Sequence, residues 1–176
     1  MNFDSYSLRL ITPDDLQQYF DLIQNNTTRL EDYFPKTLAK TKTIEEAAGH
    51  LAFLIAQQQR KAHFQFLVIE DISNVVVAAI MVKNIDWEGR KAELGYFIDG
   101  YYEGNGIMSK SVALIVDFCF TELLLNKVYI RLDPANNSSR RVAEKNAFVL
   151  EGILRKDHKK TNGNMVDSMY FGLLNE

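Results

Sequence analysis

Between Phe64 and Asp99 the hydrophobic pattern of this chain changes period. Phe64, Phe66 and Val68 alternate against Gln65, Leu67 and Ile69, where the preceding segments repeat at helical spacing. Val75–Ile85, rich in Val and Ile, and Lys91–Asp99 continue as strands, separated by the turn-forming runs 71–74 and 86–90. Three strands joined by turns this short pair most simply as an antiparallel meander. The third strand leads into Tyr101–Lys110, YYEGNGIMSK, where Gly104 and Gly106 stand between a strand and a helix. A helix start leaves its first N–H groups without internal partners, and two glycines let the backbone turn closely about an anion. The loop therefore reads as a pyrophosphate cradle, although two glycines alone fit an ordinary turn equally well.

The flanking segments complete one mixed α/β pattern. Ser7–Ile11 alternates as a short strand. Thr12-Pro13-Asp14-Asp15 has the form of a helix start, followed by Leu16, Tyr19, Phe20 and Ile23 on one face and ended by Asn25-Asn26. The segment 27–42 is less regular and carries an aromatic cluster around Tyr33 and Phe34, which either covers the core or lines a substrate groove. Thr43 and Glu46 form a second capping signal, for a helix running to about Lys61. Beyond the glycine loop, Met108, Val112, Ile115 and Cys119 mark a helix ending near Asn126. Lys127–Asp133 is a strand. A short helix ends near Asn146, and strands at Phe148–Arg155 and Met165–Leu174 flank a polar hairpin at 156–164. The strand–helix–strand unit closes most readily as a parallel pair, so the sheet is largely antiparallel with one parallel pair near its middle.

The chain has 176 residues, 47% hydrophobic and 24% charged, which suits one soluble domain over 1–176. A formal charge of -3 gives no sign of nucleic-acid binding. A single cysteine, Cys119, excludes an internal disulfide and a multi-cysteine metal site, and its apolar setting suits an inert thiol. No stretch approaches the roughly 20 apolar residues of a membrane span, and MNFDSYSLRL lacks a signal-peptide pattern, so a cytoplasmic protein without membrane attachment is expected.

The common phosphate motifs fail in detail. A P-loop needs glycine before Lys110-Ser111, and a dinucleotide fingerprint needs a third glycine after Gly106; Ser109 stands at both places. The element order, with an x-x-G-x-G loop between a meander and a helix, instead resembles the GNAT superfamily of N-acetyltransferases. The matching segments are AELGYFI (92–98), EGNGIM (103–108), NNSSRRVAEKNAF (136–148) and EGILRKDH…GNMVDSMYFGLL (151–174). Within that superfamily the chain looks like the RimJ/RimL-type group, which acetylates protein N-termini, ribosomal proteins among them.

The resemblance implies acetyl-CoA as cosubstrate, no metal, and a primary amine as acceptor. A protein N-terminus is the first choice; a polyamine, an amino acid or an amine antibiotic is the alternative, and a non-catalytic CoA-binding module the reading from another class. A homodimer is compatible with either. The resemblance also implies a parallel pair that splays apart beside Leu94–Ile98, with a backbone N–H near Phe97 or Ile98 polarising the thioester carbonyl. The pyrophosphate would lie on Gly104, Asn105, Gly106, Ile107, Met108 and Ser109, and Asn136 would contact CoA, unless it is only a turn residue. Ser139 matches the serine placed near the CoA sulfur and is the candidate proton donor; Ser138 and Ser139 also suit helix capping. Glu93 is the candidate base acting through water, or a charge on the solvent side of its strand. Glu31 and Tyr33 are candidate acceptor contacts, with Asp167 and Tyr170 as further ones. Three positions depart from the family pattern. Tyr101 stands where Gln or Arg is usual. Glu103 would repel a pyrophosphate unless it turns away. Ala147 replaces a helix-ending glycine, with Asn146 expected to take the left-handed cap conformation.

Overall fold

In the computed structural model, which describes residues 1–176, the alternation of the meander divides two cores between the faces of one sheet. In β3 (Phe64–Glu70), Phe64, Phe66 and Val68 enter one buried cluster while Leu67 and Ile69 enter the other. In β4 (Val75–Asp86), Ile80 and Val82 go to the first cluster and Ala79 and Met81 to the second. The first core is closed by Val112, Ile115 and Cys119 of α5 (Ile107–Thr121) and Ala143 of α6 (Asn137–Lys145). The second is closed by Tyr19, Leu22 and Ile23 of α1 (Leu16–Asn25) and Leu51 and Leu54 of α4 (Ile44–Gln59). Each fully buried Leu or Ile in such a core stabilises by about 1.5–3 kcal/mol. Burial also pushes the Cys119 thiol up to about 12, which keeps it protonated.

The remaining strands are β1 (Asn2–Phe3), β2 (Tyr6–Leu10), β5 (Lys91–Ile98), β6 (Lys127–Leu132), β7 (Val149–Lys159) and β8 (Met165–Leu174). Their order is β1-β2-β3-β4-β5-β6-β8-β7, and only β5 and β6 are parallel. Single helical turns, α2 (Thr27–Leu30) and α3 (Pro35–Leu38), fill the irregular 27–42 segment. The first helix begins as its sequence suggests: the Asp15 carboxylate accepts from the Thr12 N–H (2.7 Å) and hydroxyl (2.9 Å), and Arg9 pairs with it at 2.6 Å.

Several boundaries differ from the sequence expectation. β1 is an additional two-residue strand pairing Phe3 with Tyr6. α5 stops at Thr121, because Leu124 takes a left-handed φ of 53° and folds Leu125 into the core. β7 continues to Lys159, held by pairing with β8 and not by a pattern of its own, since most of its residues are exposed. The left-handed residue after α6 is Ala147 (φ 60°), not Asn146 (φ -100°), whose side chain instead bonds the Val142 carbonyl (2.9 Å). The Ala147 and Phe148 N–H groups reach the Glu144 and Ala143 carbonyls, which makes this a Schellman ending with alanine in the glycine place.

Candidate active site

The parallel pairing of β5 and β6 covers Lys91–Glu93 against Lys127–Tyr129 and then ends, although both strands run on. From Leu94 onward β5 keeps β4 on one side and has no strand on the other. A cleft of about 1170 Å³ opens there. Its walls are Leu94–Ile98 on one side and Ile130–Asp133 with the start of α6 on the other, and the glycine loop closes one end. The unpaired edge of β5 leaves backbone donors and acceptors for an extended, amide-bearing ligand.

At the loop, Gly104 and Gly106 hold φ values of 80° and 77°, and a Cβ at either would meet nothing within 4 Å. Conformation, not space, therefore requires these glycines. Gly106 is the N-cap of α5 and offers no side-chain cap, while the first helical bond runs from the Lys110 N–H to the Gly106 carbonyl. The N–H groups of Ile107, Met108 and Ser109 remain free at the positive end of a 15-residue helix. An anion is the natural partner for that end.

Across the splay, Asn136 caps α6: its Oδ1 accepts the Ser139 N–H (3.0 Å) and the Ser138 hydroxyl (2.9 Å). The capping duty considered for Ser138 and Ser139 thus falls to Asn136, and the half-buried Ser139 lines the cleft. The Tyr96 hydroxyl donates to the Ser139 carbonyl (3.1 Å) and bridges the two walls. Burial holds the Tyr96 hydroxyl far above its ordinary pKa, so it stays a donor.

Glu93 is not on a solvent face. It is 3% exposed, with Oε2 accepting from Asn84 (2.7 Å) and Arg131 (2.9 Å) and Oε1 paired with Lys83 (3.3 Å). Two cations and an amide hold this carboxylate in place in the cleft wall. Further along, Asp133 is 8% exposed and paired with Lys160 at 2.8 Å. Burial opposes its ionisation, but Lys160 and the Ala135 N–H hold its pKa below the usual carboxylate value.

The cleft thus gathers Glu93, Phe97, Ile98, Gly104, Gly106, Ile107, Met108, Ser109, Asn136, Ser139 and Tyr33. Asn105 does not line it and turns its side chain back towards the Tyr102 carbonyl (3.5 Å). Glu31, Asp167 and Tyr170 also lie outside it: Asp167 accepts the Lys156 N–H (2.9 Å), and Tyr170 stacks on Tyr129 at 4.6 Å. Sequence reading passed over Tyr96, Arg131, Asp133 and Arg29, all in the cleft wall. For Arg131 a signal existed, since a charge inside the apolar strand KVYIRL beside a parallel strand carrying Glu93 calls for a partner.

Comparison with known proteins places the whole chain in a family. The acetyltransferase (GNAT) domain model matches residues 6–149. The chain belongs to the GNAT acetyltransferase family. As a member it is an acetyl-CoA-dependent N-acetyltransferase. YdaF of Bacillus subtilis (strain 168), provisionally named a ribosomal N-acetyltransferase, is 31% identical over 96% of this chain and 90% of its own length. The spermidine N(1)-acetyltransferase of Escherichia coli (strain K12) is 25% identical over 85% of this chain and 76% of its own. Among solved structures, the ribosomal-protein-S5-alanine acetyltransferase of Vibrio fischeri has a TM-score of 0.93 at 25% identity, covering 100% of this chain and 96% of that one. RimL, a ribosomal L7/L12 α-N-protein acetyltransferase solved with coenzyme A, has 0.90 at 22%, over 98% and 95%, a likeness of fold.

Proposed function

We propose that this acetyltransferase acts on a protein N-terminal amine, a ribosomal protein's among them, with acetyl-CoA seated along the splayed edge of β5. One observation carries the reading: the free N–H row of α5, the unpaired edge of β5 and the uncommitted Ser139 hydroxyl share one cleft. In this reading Gly104, Gly106, Ile107, Met108 and Ser109 hold the pyrophosphate by backbone N–H groups. Backbone groups of Phe97 and Ile98 orient the pantetheine arm and polarise the thioester carbonyl. Ser139, held by Tyr96, gives a proton to the departing sulfur. The Asn136 oxygen is spent on capping, so its amide NH2 is what remains for a CoA contact. Glu93, engaged by three donors in the cleft wall, serves a water-mediated proton path from the acceptor amine. Tyr33, which lines the same cleft, contacts the acceptor in this reading.

The protein acceptor is favoured by the names of YdaF and the Vibrio fischeri structure. The spermidine acetyltransferase, together with Asp133 in the cleft wall, supports a polyamine as the second reading. Thiol release from acetyl-CoA, measured across N-terminal peptides of ribosomal proteins and across spermidine, separates them. Turnover with the peptides is expected; turnover with spermidine alone would sink the protein reading.

A further inference from the structure

The cradle carries an acid, Glu103, and no cation of its own between Asp99 and Ser109. Lys110, the next residue, is committed to Asp4 at 2.5 Å. Tyr101 is 96% exposed and takes no part in the cleft. The charge that balances the loop comes from 74 residues away, where Arg29 of α2 forms an ion pair with Glu103.

That placement is built into the fold. Asn26, 2% exposed at the junction of α1 and α2, accepts the Gly100 N–H (3.2 Å) and donates to Asp99 (2.9 Å) and to the Leu22 carbonyl (2.8 Å). The buried amide ties α2 to the base of the cradle. The Arg29 guanidinium then lies against Gly100, where a Cβ would stand 3.4 Å from its Nη1. Gly100 has no left-handed φ, so its lack of a side chain serves this close approach. Arg29 lines the same cleft as Gly104 and Gly106.

We propose that Arg29 is a pyrophosphate ligand of this enzyme and that Glu103 is its internal placeholder, exchanged for phosphate when acetyl-CoA binds. The inference rests on the acetyl-CoA reading given above. Both partners of the pair are about half exposed, with side-chain exposures of 46% and 40%. An ion pair of that kind contributes about 0–1 kcal/mol and is readily given up. A guanidinium gripping phosphate through two N–H groups makes a stronger, charge-assisted contact. The opposing account is that Arg29 merely neutralises Glu103 and never touches the ligand.

A double-mutant cycle on the full chain distinguishes the two. CoA affinity is measured by calorimetry for the wild type, Arg29→Ala, Glu103→Gln and the double variant. The expected result is a loss of at least about tenfold on Arg29→Ala in both backgrounds. The loss should persist with dephospho-CoA, which keeps the pyrophosphate, and vanish from the KM of S-acetylpantetheine, which lacks it. If the Arg29→Ala loss disappears once Glu103 is glutamine, Arg29 is only a neutraliser and the proposal is overturned. A loss confined to CoA and absent with dephospho-CoA overturns it too, by moving Arg29 to the 3′-phosphate. Wild-type protein that binds no CoA would instead overturn the acetyl-CoA reading itself.

Discussion

Asn136 and Ser139 divide two tasks that the sequence NNSS offers to either. Because the Asn136 oxygen takes the Ser139 N–H, the serine hydroxyl is released from capping, and Tyr96 fixes its backbone from the opposite wall. Ser139→Ala should therefore lower kcat by about 100-fold or more, the range of a lost proton donor, with the acetyl-CoA KM unchanged. Tyr96→Phe, which removes only the tether, should lower kcat less and cost about 1 kcal/mol in urea unfolding. Equal turnover in Ser139→Ala would reduce the hydroxyl to a bystander. His50 offers a separate test away from the cleft. Burial first, then Lys40 and His63, lower its pKa to about 4, and its Nδ1 has no partner. The folded state thus binds fewer protons than the unfolded state between the unfolded value near 6.5 and that lower one. Stability is complete above about pH 6.5 and is lost as pH falls towards about 4. His50→Leu should flatten that acid limb of a stability–pH curve; an unchanged limb would place the titration elsewhere.

At the scale of elements, Ala147 shows how a fold tolerates a local cost. The Schellman ending of α6 requires a left-handed residue, and alanine there pays about 1–2 kcal/mol that glycine does not. Glycine loses more entropy on folding, so Ala147→Gly should gain a net of about 0.5–1 kcal/mol, read as a higher urea midpoint with an unchanged slope. A lower midpoint would mean that the alanine methyl packs better than the strain hurts. The meander β3–β5 and the helices α1, α4 and α5 were legible because each sets its own period and start signals. β7 was legible only in part: its residues are exposed on both faces, so β8 and not hydrophobicity defines its length. Of the cleft, the part made by neighbours in sequence was readable. Gly104, Gly106 and the run 136–139 announce themselves through backbone chemistry. Arg29 did not, because its meaning depends on an Asn26 tether to residues 73 and 74 positions away.

Over the whole molecule, an early segment and a late hairpin of the chain meet beside the cleft. The β7–β8 hairpin reaches the α2–α3 segment: Thr161 donates to the Glu31 carbonyl, His158 Nε2 lies 2.5 Å from the Asp32 carbonyl, and Lys160 sits 3.6 Å from the Asp32 carboxylate. Glu31, expected as a substrate contact, contributes its backbone carbonyl to this junction. Lys160 has a second consequence, because it masks Asp133 on the inner wall. Lys160→Ala would leave the Asp133 carboxylate in the cleft wall without its cation, and attraction to it grows with the charge of the acceptor. A polyamine carries several cations along its length, whereas a neutral-bodied peptide brings one at its terminus. The ratio of kcat/KM for spermidine to that for an N-terminal peptide should therefore rise in Lys160→Ala, while the acetyl-CoA KM stays put. The rise should fade as added salt screens the exposed carboxylate. An unchanged ratio with a raised acetyl-CoA KM would assign the hairpin to the cosubstrate end and remove Lys160 from acceptor choice.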